Sequence, residues 1–133
     1  MRLGIALPDG LPLTEAVEIC VEAERLGYSD VWSYEVAGND AFTPLAAIAA
    51  RTERLRLGTA VVPASTRPPA LLAMTSASLQ SLSGGRFCLG LIGANHSAKI
   101  CCDGSRFQGG AAIEEAARGF IQADGKIKFG QTR

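Results

Sequence analysis

The chain has no excess charge of either sign: 13 Lys+Arg stand against 13 Asp+Glu among its 133 residues. Without a net field nothing gathers a polyanion, so neither nucleic acid nor an anionic membrane surface is an expected partner. Long apolar runs are missing too, because charge, proline or glycine breaks every stretch short of the ~18 residues that a membrane span needs. Near the start, Leu3, Ile5 and Leu7 are cut off by Pro8-Asp9-Gly10. That run is too short for the core of a signal peptide, and a cytoplasmic chain is expected. Cysteine is sparse and badly spaced for a disulfide framework: Cys20, Cys88 and the adjacent Cys101-Cys102 read as reduced thiols. The same adjacency argues against a metal site at His96, Cys101, Cys102 and Asp103, since zinc-binding cysteines are normally separated by two to four residues. No metal is expected.

What remains is a chain with 47% hydrophobic residues, enough to bury one core and form one domain. Leu3, Ile5 and Leu7 alternate over residues 2–7, which predicts a strand that Pro8-Asp9-Gly10 ends. Thr14 is placed to cap a helix, with Glu15 in its first turn where the macrodipole favours an anion. Ala16, Ile19, Cys20, Ala23 and Leu26 follow helical spacing, Glu18, Glu22 and Arg25 occupy the solvated side, and Gly27 supplies the stop. A second strand is predicted over 30–34, then a turn-rich loop. Thr43-Pro44 predicts a cap and first position for a helix over 44–52. A third strand follows over 55–62 and a loop over 63–68. A third helix opens at Pro69 and ends near Ser83-Gly84-Gly85, and a fourth strand is predicted over 86–91. Beyond it, 94–110 is polar and glycine-rich, 111–123 has a helical pattern and 126–129 that of a short strand.

Strands alternating with helices through short loops imply an α/β fold with a parallel sheet and right-handed crossovers. Periodicity alone leaves two architectures open, a doubly wound sheet and part of a closed barrel.

Several blocks resemble the luciferase-like monooxygenase family, which includes flavin-dependent monooxygenases and oxidoreductases dependent on coenzyme F420, a deazaflavin. They are Ala23-Glu24-Arg25-Leu26-Gly27-Tyr28, Asp30-Val31-Trp32, Asp40-Ala41-Phe42-Thr43-Pro44-Leu45, Arg54-Leu55-Arg56-Leu57-Gly58-Thr59-Ala60-Val61, Arg67-Pro68-Pro69, Leu82-Ser83-Gly84-Gly85-Arg86-Phe87 and Leu89-Gly90-Leu91. In this order and at these separations they form a specific signature over residues 1–91. The resemblance implies a TIM (β/α)8 barrel, of which the chain would hold about four βα units. Full barrels of this kind run to ~250 residues or more, so the chain is expected to be about half of one. The first and fourth strands would then expose unpaired edges, and self-association through them is expected. Residues 92–133 form a second, divergent segment. Where the family typically continues Gly-Leu-Gly into a phosphate-contacting loop, this chain reads Gly90-Leu91-Ile92-Gly93-Ala94-Asn95.

In a (β/α)8 enzyme the functional groups gather at the carboxyl ends of the strands. Glu35 follows the second strand at a position where family members often carry an acid beside the ring of the cofactor. A carboxylate there could move a proton during hydride transfer; alternatively Glu35 is a solvated loop residue. The following position, often histidine in the F420-dependent dehydrogenases, is Val36. The link between Ala60 and Val61 matches the family's non-prolyl cis peptide that backs the ring, the alternative being an ordinary trans peptide. Gly90, Gly93, Ala94 and Asn95 could offer backbone amides to a cofactor phosphate, or they could merely end a strand. Arg67 could meet a substrate or phosphate, or be solvated or paired. Trp32, Phe42 and Met74 read as core.

The function implied is an oxidoreductase binding FMN or coenzyme F420 and acting on a small-molecule substrate. A non-catalytic half-barrel, acting as a dimerising or binding module, is the rival. Strand order separates the architectures: sequential neighbours fit a barrel segment, and a reversal fits the doubly wound form.

Overall fold

The computed structural model describes residues 2–35, 38–93, 96–101 and 107–108. Its elements are β1 (Gly4–Ala6), α1 (Leu13–Arg25), β2 (Asp30–Ser33), α2 (Phe42–Ala49), β3 (Arg56–Thr59), β4 (Val62–Pro63), α3 (Pro69–Leu82), β5 (Phe87–Gly93), β6 (His96–Cys101) and β7 (Phe107–Gln108). The strands form one sheet in the order β1-β2-β3-β5-β6-β7, with β4 also on β5. β1, β2, β3, β4 and β5 pair in parallel. The order is sequential, without a reversal, so the barrel segment is the architecture and the doubly wound sheet is not.

One face of the sheet is covered by the helices. Val31, Leu57 and Leu89 meet Leu45 and Ile48 of α2 and Leu55 in a layer that is almost wholly excluded from solvent. α1 buries Ala16, Val17, Cys20 and Ala23. Its apolar stripe is rotated from the expected one: Ile19 and Leu26 are exposed and Val17 takes the inner place. Thr14 does not cap this helix. The helix begins at Leu13 after Pro12 and has no side-chain cap bond, because proline already fixes the entry dihedral and its carbonyl accepts the Ala16 N–H at 3.0 Å. The stop at Gly27 is as expected. With φ at 87°, Gly27 donates to the Glu24 carbonyl and Tyr28 to the Ala23 carbonyl, the paired bonds of a Schellman motif. Gly84 and Gly85 repeat that arrangement on Ser81 and Gln80 at the end of α3.

α2 starts two residues before the predicted Pro44. Its first amides are capped by Asp40, whose Oδ1 accepts the Phe42 and Thr43 N–H at 2.8 and 3.0 Å, so Thr43 is inside the helix and not its cap. Met74 is exposed rather than in the core. The predicted strand over 55–62 is two strands, interrupted at Ala60 and Val61.

Past residue 91 the structure departs from expectation. β5 continues through Ile92 to Gly93 and is followed by β6 running antiparallel to it. The outer edge of the fourth parallel strand is therefore paired and not open. Among the described residues β1 remains at an end of the sheet, bonded to β2 alone. The helix predicted over 111–123 and the strand over 126–129 lie outside the described residues.

At the amino ends of the strands, charged side chains join one element to the next. The Glu24 carboxylate accepts the N–H groups of Glu53, Arg54 and Leu55, the closest at 2.6 Å, tying α1 to the entry of β3. Arg86 donates to the carbonyls of Ala49, Thr52, Leu55 and Ser83, which joins the end of α2 to β5. Asp30, with a side chain only 7% exposed, accepts from Arg56 Nε at 2.5 Å and from the Ser29 hydroxyl at 2.6 Å.

Burial acts to raise the Asp30 pKa, but the Ser29 hydroxyl, Arg56 and Arg2 together outweigh it and hold the carboxyl below its ordinary 3.8. A folded pKa below the unfolded one stabilises above the unfolded value and is lost as pH falls through the folded value. The urea midpoint should therefore fall as pH is lowered through 3.8 and below, and Asp30→Asn should flatten that decline. Because Glu24 and Asp40 are shifted in the same direction, a part of the acid sensitivity should persist in the variant. An unchanged acid limb in Asp30→Asn would contradict the assignment.

Candidate functional site

The carboxyl ends of β2 and β3 lie side by side, and hydrogen bonds continue between the chains after both strands have ended. Ala60 N–H donates to the Ser33 carbonyl at 2.7 Å, and Glu35 N–H donates to the Val61 carbonyl at 3.2 Å. Glu35 and the Ala60-Val61 link thus sit at one edge of the sheet, as the sequence predicted. The Ala60-Val61 peptide is cis. Ala60 is exposed at this edge and Val61 half-buried, so a small methyl group fronts the mouth.

Thr59 supports the interruption from behind. Its hydroxyl accepts the Gly90 N–H at 2.7 Å and donates to the Gly90 carbonyl at 2.9 Å, in a buried setting. A side chain here replaces the backbone partner that β3 would otherwise offer to β5. Glycine is required opposite it: a Cβ on Gly90 would stand 2.1 Å from the Thr59 carbonyl oxygen. The Gly90 amide is consequently engaged with Thr59, and Gly93 is in the ladder opposite His96. Gly90 is thus inside the strand predicted over 86–91 with its amide already used, and Gly93, expected past the end of that strand, is inside β5 as well. Ala94 and Asn95, the other two residues of that set, lie outside the described residues.

Glu35 is not a solvated loop residue. Arg67 Nη1 stands 2.7 Å from Oε1 and 2.6 Å from Oε2, and both side chains are only 17% exposed. The Thr66 hydroxyl donates to Oε1 at 3.1 Å and the Ala41 N–H to Oε2 at 3.4 Å. Arg67 is thus paired, one of the outcomes foreseen for it. Its guanidinium carbon lies 5.0 Å from the centre of the Phe42 ring, within cation–π range, and its Nη2 is 3.7 Å from Asp40 Oδ1. Burial acts to raise the Asp40 pKa, but hydrogen bonds from Thr43 and Phe42, with the Arg67 charge, more than offset it and hold the carboxyl below its ordinary value. Asp40 and Thr66 were not singled out by the sequence. The signal for them was present, since Asp40 opens one of the resemblance blocks and Thr66 immediately precedes another.

Beside this cluster is a cavity of about 410 Å³, lined by Leu7, Leu11, Tyr34, Asn39, Asp40 and Pro44 among others. It opens between the loops that follow β1 and β2, again on the carboxyl side of the strands. Asp40 belongs both to this wall and to the seat of Arg67. No group of histidine, cysteine and acidic side chains suited to a metal ion occurs among the described residues, and no helix among them is long and apolar enough to cross a membrane.

Comparison with known proteins bears on this geometry. Residues 1–112 match the family described as luciferase-like monooxygenase. A Mycobacterium tuberculosis protein named "Putative coenzyme F420-dependent oxidoreductase Rv3520c" is 42% identical over 93 residues, covering 68% of this chain and 27% of that protein. The coenzyme F420-dependent tetrahydromethanopterin reductase of Methanopyrus kandleri superposes with a TM-score of 0.64 at 26% identity, over 68% of this chain and 26% of that one. The oxygenating constituent of the Pseudomonas putida 3,6-diketocamphane monooxygenase, solved with FMN, shares the fold with a TM-score of 0.63 at 20% identity, over 69% and 29% of the two chains. The chain spans about a quarter of the length of the relatives it matches.

Replacing Thr59 by Val should leave the Gly90 N–H and carbonyl buried without their partner. At about 1–3 kcal/mol for each of the two orphaned groups, Thr59→Val should lower unfolding stability by roughly 2–6 kcal/mol, while Thr59→Ser should keep most of it. Urea denaturation of both variants checks this; equal stability of Thr59→Val and the parent would refute the role.

Proposed function

Because the chain belongs to the luciferase-like monooxygenase family, we propose that it forms the strand-end mouth of an oxidoreductase that uses FMN or coenzyme F420. The reaction would be hydride transfer or oxygen insertion on a small organic substrate. The observation that carries this reading is the junction of Glu35 with Ala60-Val61, joined by the Glu35 N–H to Val61 carbonyl bond of 3.2 Å.

The residues present fit the ring side of such a cofactor. The exposed Ala60 at the end of β3 presents a flat backbone link and a single methyl, which lets a planar ring approach where a larger side chain would intrude. Val61 would pack behind it, and Glu35 stands next to it with a carboxylate held by defined donors. When bound, the cofactor supplies the hydride or, as a reduced flavin, the activation of oxygen. The protein's part is to place that ring, to exclude water from its face, and to hold or move a proton at the Glu35 carboxylate. The end of β5 at Gly93, with Ala94 and Asn95 that follow it in the sequence, would meet the phosphate. The substrate would enter beside the cavity after β1 and β2.

A second reading has one observation in its favour. β1 is three residues long and terminates the sheet among the described residues, with Gly4 and Ala6 exposed. A second copy could pair along this edge, making the chain a dimerising half-barrel.

Titration of the purified chain with oxidised FMN, and separately with oxidised coenzyme F420, should shift the visible absorbance and quench the fluorescence of one of them at micromolar concentrations. Ala60→Trp, a change at an exposed position, should weaken that binding about tenfold or more, equivalent to ~1.4 kcal/mol. A folded chain that alters neither spectrum would overturn the oxidoreductase reading. Size-exclusion chromatography addresses the second. The Leu7 N–H and the Leu3 carbonyl bond to β2, so the alternate residue Ala6 turns its N–H to the free edge. A dimer that Ala6→Pro dissolves supports pairing along β1, whereas a monomer at every concentration rules it out.

A further inference from the structure

Three features have no part in the proposed ring site: the apolar face of α3 with Leu71, Met74 and Leu82 exposed, the ion pair of Asp30 with Arg56, and the seat of Arg67. The first has no partner in view and the second is spent on joining β2 to β3. The third bears on chemistry.

We infer that Arg67 is the positioning residue of the mouth, a fixed cation that sets where the Glu35 carboxylate sits relative to Ala60-Val61. The inference rests on the function proposed above. Arg67 lies in the loop after β4, yet its guanidinium is held from the far side of the site. The Phe42 ring lies 5.0 Å from its centre and Asp40 Oδ1 3.7 Å from Nη2. Both of those partners are themselves fixed. Phe42 is buried in the core, and Asp40 is bound by the first amides of α2 at 2.8 and 3.0 Å. The seat of the guanidinium is therefore built without Glu35.

The Glu35 backbone is held by the Val61 carbonyl, but its carboxylate has no such independent anchor. Glu35 follows the end of β2, and the donors that reach its carboxylate are Arg67 Nη1, Thr66 Oγ and the Ala41 N–H, of which the last is a long 3.4 Å. The two shortest contacts, 2.6 and 2.7 Å, come from the same Arg67 nitrogen. Charge-assisted bonds of this length dominate the placement of a carboxylate. The loop after β4 thus fixes a group belonging to the loop after β2, across the link where the ring would rest. Lysine cannot reproduce the arrangement in full, because a point charge lacks the planar face that lies on Phe42 and the second nitrogen that faces Asp40.

The test is a double-mutant cycle read by cofactor binding and by the absorbance maximum of the bound cofactor, using FMN and coenzyme F420 as the two probes. Arg67→Met should weaken binding of the probe that the parent binds about tenfold, the loss expected from one charge-assisted contact, and should return its absorbance toward that of the free cofactor. Glu35→Gln should do the same. The double variant should be no weaker than either single one, because both changes remove one shared device, and Arg67→Lys should recover part of the affinity and part of the spectral shift. Parent-like affinity and spectrum in Arg67→Met would overturn the inference, and so would losses that multiply in the double variant. Lower affinity with an unshifted spectrum would mark a merely structural role and also overturn it. If Arg67→Met fails to fold by circular dichroism, Arg67→Lys and Glu35→Gln carry the same comparison, and a spectrum unchanged in both refutes the inference. No binding of either probe by the parent would be a failure of the proposed function itself, and the inference falls with it.

Discussion

The structure depends on a constraint of parallel pairing: strands that run in the same direction deliver all their carboxyl ends to one edge. Here the constraint extends past the strands. β2 and β3 stop at Ser33 and Thr59, but the Ala60 N–H still reaches the Ser33 carbonyl and the Glu35 N–H the Val61 carbonyl. These two bonds fix the loops after both strands against each other. Everything assigned to the mouth, from the exposed methyl of Ala60 to the paired Glu35, inherits its position from them.

Electrostatics then divides the molecule in two. At the amino ends of the strands, Glu24, Arg86 and the pair of Asp30 with Arg56 spend their charges on backbone amides, carbonyls and each other, and they join helix to strand. Toward the carboxyl ends, Arg67 lies between Glu35, Asp40 and the face of Phe42. That cluster borders a cavity and an exposed backbone link, besides joining the start of α2 to the loop after β2. The division accords with the general rule for (β/α)8 proteins, in which one end is given to stability and the other to chemistry.

Much of this was legible in the sequence. The glycine stops at Gly27 and at Gly84-Gly85, the alternation of strand and helix, and the meeting of Glu35 with Ala60-Val61 followed from local pattern and from the resemblance. What escaped were contacts that depend on distant partners. Thr14 looked like a cap, but proline at position 12 had already set the start of α1, and Asp40 rather than Thr43 meets the first amides of α2. The stripe of α1 was read with Ile19 inward, whereas Val17 is the buried residue and Ile19 is exposed. Gly90 looked like a free donor because nothing in a linear sequence shows that the hydroxyl of Thr59, 31 positions away, would occupy it. Past Leu91 the expected loop is instead a strand that turns back on β5. The extra residue at Ile92 marked the departure without showing its form.

The mouth exists only if the two loops are bonded to each other. Scalar couplings across hydrogen bonds report this directly in an isotopically labelled chain. Cross-peaks are expected that link the amide nitrogen of Glu35 to the carbonyl carbon of Val61 and that of Ala60 to the carbonyl carbon of Ser33. If both were missing while those amides exchanged with water as fast as in an unfolded peptide, the two loops would be independent and the shared mouth would not exist.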